Sequence, residues 1–154
     1  MLYANIIACL ETYLGDALIA TAKNSRRIMR KFVETFRDFK DMKFALTEVF
    51  TVYDKIDETA IEAMANVLYH NLPKVKGIYR DTLGIEFPKD IGPIVRAVGI
   101  RHDIVHRNGK DKDGATHVLS SADVEALFAQ ATQFVAEIQK QIDEVRRQSV
   151  AEDE

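Results

Sequence analysis

A chain of 154 residues has room for one domain with a real core, and 47% hydrophobic with 29% charged residues is the balance of a globular protein, which excludes a disordered chain. Seven glycines and three prolines are too few for a loop-rich β protein and favour an all-α fold. A net charge of −3 argues against nucleic acid only if the charge is evenly spread, and it is not.

The first predicted helix covers about residues 2–22, with Ile6, Ile7, Leu10, Leu14 and Leu18 at helical spacing opposite Glu11 and Asp16. Its lone cysteine, Cys9, lies in an apolar run and reads as a small core residue in a reducing compartment. Met1-Leu2-Tyr3 lacks the basic start of a secretory signal, and no run approaches the roughly 18 apolar residues of a membrane crossing. The expected location is cytoplasmic, away from any membrane. Asn24 or Ser25 caps a second helix, through which Ile28, Phe32, Phe36 and Phe39 continue in steps of three or four. Residues 23–43 carry eight cations against three anions, a local charge of +5 within an acidic chain. Arg26, Arg27, Arg30 and Lys31 are the candidate RNA contacts in this stretch, whereas pairs such as Arg30–Glu34 would make the same run a solvated helix face.

From Phe44 to Ile56 the apolar pattern persists, with a bend near Asp41 as one alternative to a continuous helix. Asp57 is placed as the cap of a run through Met64 and Leu68, which Pro73 ends or restarts. A short helix through Val75, Tyr79 and Leu83 closes at Gly84. After Phe87-Pro88 a further helix carries Ile91, Ile94, Val95, Val98, His102 and Val105 on one face, taken as its core side, and stops at Arg107-Asn108-Gly109. Ala97, Ile100 and Ile104 form a second apolar patch beside Arg101, expected to be a homodimer surface. Ser120-Ser121-Ala122-Asp123 is a capping box for a last helix that buries Leu127, Phe128, Ala131, Phe134, Ile138 and Ile142. The expected product is a bundle of five or six helices over residues 1–148, followed by a frayed acidic tail at 149–154.

Arg101 and His106 stand five residues apart near the end of the penultimate helix, in Arg101-His102-Asp103-Ile104-Val105-His106-Arg107-Asn108-Gly109. This string resembles the R-x(4–6)-H motif of the HEPN superfamily. The resemblance runs from Leu10-Glu11-Thr12-Tyr13-Leu14 through Tyr69-His70-Asn71-Leu72 to the Ser120 capping box. It is nearest to the small HEPN domains linked to bacterial stress and defence RNases. Arg96 and His102 match the same spacing, but Arg96 falls on the polar face and His102 on the face taken as core.

The resemblance implies a HEPN-like fold and a metal-independent endoribonuclease, a homodimer whose two motifs form one composite cleft. Arg101 and His106 would be its catalytic residues, and His102, where asparagine is commoner, would help to orient them. It implies RNA as substrate, no cofactor, and an antitoxin or neighbouring effector as a further partner. The residues suit that chemistry. RNA carries its own nucleophile in the 2′-hydroxyl, so cleavage needs a proton acceptor, a proton donor and positive charge at the phosphate. Two rival readings are a zinc site built on His102 and His106 with His70 or His117 recruited, and a HEPN-like bundle that binds RNA or a partner without cutting.

Overall fold

The computed structural model describes residues 2–152, Glu152 by its backbone alone. The described chain is all-helical, without strands, and has seven α-helices rather than five or six. They are α1 (Leu2–Lys23), α2 (Arg26–Thr35), α3 (Val49–Asp54), α4 (Ile56–Ala65), α5 (Leu72–Leu83), α6 (Gly92–His106) and α7 (Ser121–Glu152). α6, which carries the Arg101 motif, is the penultimate helix. Residues 149–152 of the expected tail continue α7, with Ser149 buried, and residues 153–154 lie outside the described residues.

The chain groups into two compact units. The first joins the chain up to Tyr13 to Phe87–Lys140, and the second joins Leu14–Glu86 to the chain from Gln141 onward. Within the first, Ile7 and Leu10 of α1, Ile94 and Ala97 of α6, and Leu127, Phe134 and Ile138 of α7 are buried. The Phe87 and Phe134 rings meet edge to face at 5.1 Å, and the Tyr13 hydroxyl donates to Gln139 Oε1 at 2.8 Å. Cys9 is exposed and lines an open apolar groove of about 710 Å³ with Leu2, Ile6 and Phe128, so it is not the core residue expected. Phe128 itself is 63% exposed, although the sequence placed it on the buried face.

In the second unit Leu14 and Leu18 of α1, Phe32, Met64, Leu72, Val75 and Tyr79 are fully or nearly fully buried. Buried Tyr79 donates its hydroxyl to the Leu14 carbonyl at 2.6 Å. Ser25 caps α2 by accepting from Ile28 N, Asn71 caps α5 by accepting from Lys74 N, and Gly84 ends α5 at φ 69°. α2 stops at Thr35 because Phe36 turns extended, which folds Phe36 and Phe39 back onto Phe32 instead of continuing the helix. Asp57 is not a cap: Lys55 holds that position and Asp57, in the first turn of α4, pairs with Arg26. The apolar pattern at 44–56 does not mark a core helix either. Phe44, Leu46, Phe50 and Tyr53 are all more than half exposed, Leu46 on a 3-10 turn, Phe50 and Tyr53 on the short α3, and Phe44 in the irregular chain before them.

By length and composition α1 is apolar enough to cross a membrane, contrary to the sequence expectation. Its Ile7, Leu14 and Leu18 are nevertheless buried in protein, as in the core helix of a folded domain.

Candidate functional site

α6 begins after Ile91, where the Asp90 carboxylate accepts from Gly92 N at 3.1 Å and Pro93 occupies the first turn, a position whose N–H needs no helical partner. It ends where Asn108 and Gly109 adopt positive φ, 52° and 78°, and Arg107 N and Gly109 N both donate to the Asp103 carbonyl at 2.9 Å. This turn fixes the direction of the chain immediately beyond His106.

The inward face of α6 is rotated from the one expected, keeping Ile94 inside and turning Val95, His102 and Val105 outward. Ile94 and Ala97 are buried and Ile100 and Ile104 half-buried, whereas Val95 and Val105 are 42% and 53% exposed. Of the patch at Ala97, Ile100 and Ile104, Ala97 is covered within the single chain, and Ile100 and Ile104 keep part of their surface exposed. His102 and His106 are exposed as well, so His102 is not the core histidine its face suggested. Their rings lie 4.6 Å apart, as neighbours one helical turn apart should. Arg96 is also exposed.

Arg101 lies on the inward side. Its guanidinium pairs with Glu11 of α1 at 3.9 Å, the two side chains being 25% and 18% exposed. The other Glu11 oxygen, Oε1, is buried and has no hydrogen-bond partner. A five-residue step turns the helix through about 140°. Arg101 and His106 thus leave α6 in different directions, and within one chain the structure brings His106 to His102 and Arg101 to Glu11.

A second cluster forms where the chain after α6 folds back. Asp103, 14% exposed, accepts from His117 Nε2 at 2.9 Å and from Arg107 at 3.3 Å. The hydrogen bond from His117, with Arg107 and the nearby imidazoles adding, holds the Asp103 carboxyl below its ordinary range against the opposing effect of burial. The sequence offered His117 only as a recruit to a zinc site and missed its pairing with Asp103, because it stands 14 residues away across an exposed turn, with no periodic spacing to connect them. The only signal was the turn itself, Lys110-Asp111-Lys112-Asp113-Gly114, which returns the chain to α6.

Among the candidate RNA contacts, Arg26 bonds Asp57 and lies over the Tyr53 ring at 5.8 Å, and Arg30 pairs with Glu34 at 2.6 Å. Arg27 and Lys31 line a cavity of about 350 Å³ with Gly84, Gln141 and Glu144. The +5 stretch is thus partly neutralised by its own neighbours. A zinc site on His102 and His106 lacks a third donor, since no group of three His, Cys, Asp or Glu side chains is placed to hold a metal among the described residues. No family model matches the chain, and no curated protein or solved structure matches it.

Proposed function

We propose that the chain is a HEPN-like, metal-independent endoribonuclease that works as a homodimer in a stress, toxin or defence role, with an antitoxin or neighbouring effector as a further partner. The observation that carries this reading is the concentration of proton-transfer and cationic groups at one helix end. His102 and His106 lie exposed on α6, and Arg101, Arg107 and His117 surround the same turns. In this mechanism a histidine takes the 2′-hydroxyl proton, the 2′-oxygen attacks phosphorus, and a second acid protonates the departing 5′-oxygen. Arginine stabilises the charge on the equatorial oxygens. Because Arg101 and His106 diverge in one chain, their joint action is assigned to two copies meeting across the exposed Val95, His102 and Val105 face of α6.

The test is cleavage of a fluorescein-labelled single-stranded RNA of mixed sequence in EDTA. The expected products carry a 2′,3′-cyclic phosphate and a 5′-hydroxyl, a 2′-deoxy substitution at the cut position blocks the reaction, and His106→Ala lowers the rate by at least about 100-fold. Metal-dependent cleavage or 5′-phosphate products would refute the reading. The Arg101–Glu11 pair favours one alternative, a non-catalytic RNA-binding module, in which RNA is bound but not cut and His106→Ala leaves binding intact.

A further inference from the structure

The His117–Asp103 contact does more than close a loop. His117 is fixed from two directions: its backbone N–H donates to the Gly109 carbonyl at 2.8 Å, and its Nε2 meets Asp103 at 2.9 Å. The turn that delivers it is itself braced. Asp111 Oδ1 accepts from Asp113 N at 2.9 Å and from Ala115 N at 2.8 Å, and Lys110 and Thr116 form an antiparallel bridge. An ionised carboxylate can only accept, so the hydrogen in this contact sits on Nε2, and in the neutral ring that leaves the Nδ1 lone pair as the available base. Among the described residues no hydrogen bond engages Nδ1, and the side chain is 24% exposed, enough for a ligand to reach it. A strut between loop and helix would need only a donor, a role that glutamine, lysine or arginine fills equally well.

The dyad sits beside the histidine pair. Asp103 and His106 are three residues apart on α6, with Cβ atoms about 5–6 Å apart. Asp103 is also within electrostatic reach of His102, whose ring neighbours His106. The charged and titratable groups acting on Asp103 besides His117 are Arg107 and His102, and His106 stands one turn from His102 on the same helix.

On the endoribonuclease reading, we propose that His117, oriented by Asp103, is the proton acceptor of the site and that His106 of the same chain is its proton donor. His117 Nδ1 takes the 2′-hydroxyl proton as the bond from the 2′-oxygen to phosphorus forms. The bond from phosphorus to the 5′-oxygen breaks, and the His106 imidazolium gives its proton to that oxygen. One proton is taken and one given, and proton exchange with water restores both rings. Asp103 is a positioning residue in this scheme.

The experiment uses the full chain and the same labelled RNA in EDTA, comparing wild type with His117→Gln, Asp103→Asn and His106→Ala across pH. Glutamine keeps an N–H for Asp103 but cannot exchange a proton. His117→Gln is expected to lose at least about 100-fold in rate at an unchanged unfolding midpoint. It should also lose the acidic limb of the pH–rate profile, where the rate rises as the base deprotonates. Asp103→Asn should lose less, and nitrogen NMR of wild type should show the hydrogen on Nε2 of His117. Wild-type rates in His117→Gln while His106→Ala is inactive would overturn this proposal alone, as would a slowed variant that keeps both limbs. Absence of cleavage by wild type would overturn the endoribonuclease reading and this role with it.

Discussion

Replacing Arg101 with alanine has a consequence beyond catalysis, because it strands a carboxylate. Glu11 is 18% exposed, its Oε1 has no hydrogen-bond partner, and the guanidinium at 3.9 Å is the cation it pairs with. At that separation the Coulomb attraction is about 4 kcal/mol for an effective dielectric near 20. Desolvation of two ions that are mostly out of water offsets most of it, leaving a net contribution of about 1 kcal/mol. Removing Arg101 alone also leaves the Glu11 charge uncompensated, so Arg101→Ala should destabilise by about 1–2 kcal/mol, below the range for a fully buried pair because the contact is long and partly wet. Adding Glu11→Gln to Arg101→Ala should restore about 1 kcal/mol by removing the stranded charge. Urea midpoints of wild type, the two single variants and the double variant close the cycle, and cleavage of labelled RNA by the same four proteins separates stability from chemistry. A coupling energy of zero would refute the ion pair. Full activity in the stabilised double variant would show that Arg101 acts only by neutralising Glu11, and would remove it from the catalytic set.

Two further predictions concern stability and RNA contact. Gly77 of α5 has no atom within 4 Å of an added Cβ, so Gly77→Ala should stabilise by about 0.5–1 kcal/mol. At Gly15 of α1 the same addition meets Tyr69 Cε2 at 3.0 Å, and that ring is tethered by its hydroxyl to the Met64 carbonyl at 2.7 Å. Gly15→Ala should therefore lose the propensity gain and cost about 1 kcal/mol net, read as opposite shifts of the two urea midpoints. For RNA, reversing Arg27, Arg30 and Lys31 to glutamate should weaken binding alike across sequences and flatten the slope of log K against log salt by about 2. Unchanged binding in a fluorescence titration would make this stretch a solvated helix face.

Much of the helix punctuation was legible in the sequence, because caps are local chemistry. Ser25, Gly84, the Asn108-Gly109 stop and the reciprocal Ser120–Asp123 box all stand where their residue types place them. What periodicity could not supply was direction. α6 is apolar on two faces, and a pattern that repeats on both does not say which one the rest of the chain covers. The same limit applies to residues 44–56, whose apolar spacing resembles a core helix but whose side chains face solvent. His117 lay beyond any local rule, since it enters the site through a turn and not along a helix.

The rotation of α6 changes what the five-residue spacing of Arg101 and His106 means. With the expected core face inward, both residues would have flanked a common cleft. With Ala97 inward beside Ile94 and with Val95 and Val105 outward, Arg101 is drawn into an ion pair with α1 while His106 stands at the surface with His102 and near Asp103. The spacing then separates two places: the arginine pairs on the inner side of the helix, and the outer side presents His102 and His106, the groups proposed to exchange protons. Positive charge for a bound phosphate can come from Arg107 of the same turn, which is 37% exposed, or from Arg101 of a second copy. The Arg101→Ala homodimer distinguishes the two, since full activity assigns the charge to Arg107; if it is inactive, mixed dimers carrying Arg101→Ala on one subunit and His106→Ala on the other locate Arg101. Half of wild-type activity, from the one composite cleft left with both residues, places Arg101 across the interface. Loss of activity in every such pairing places both residues in one chain.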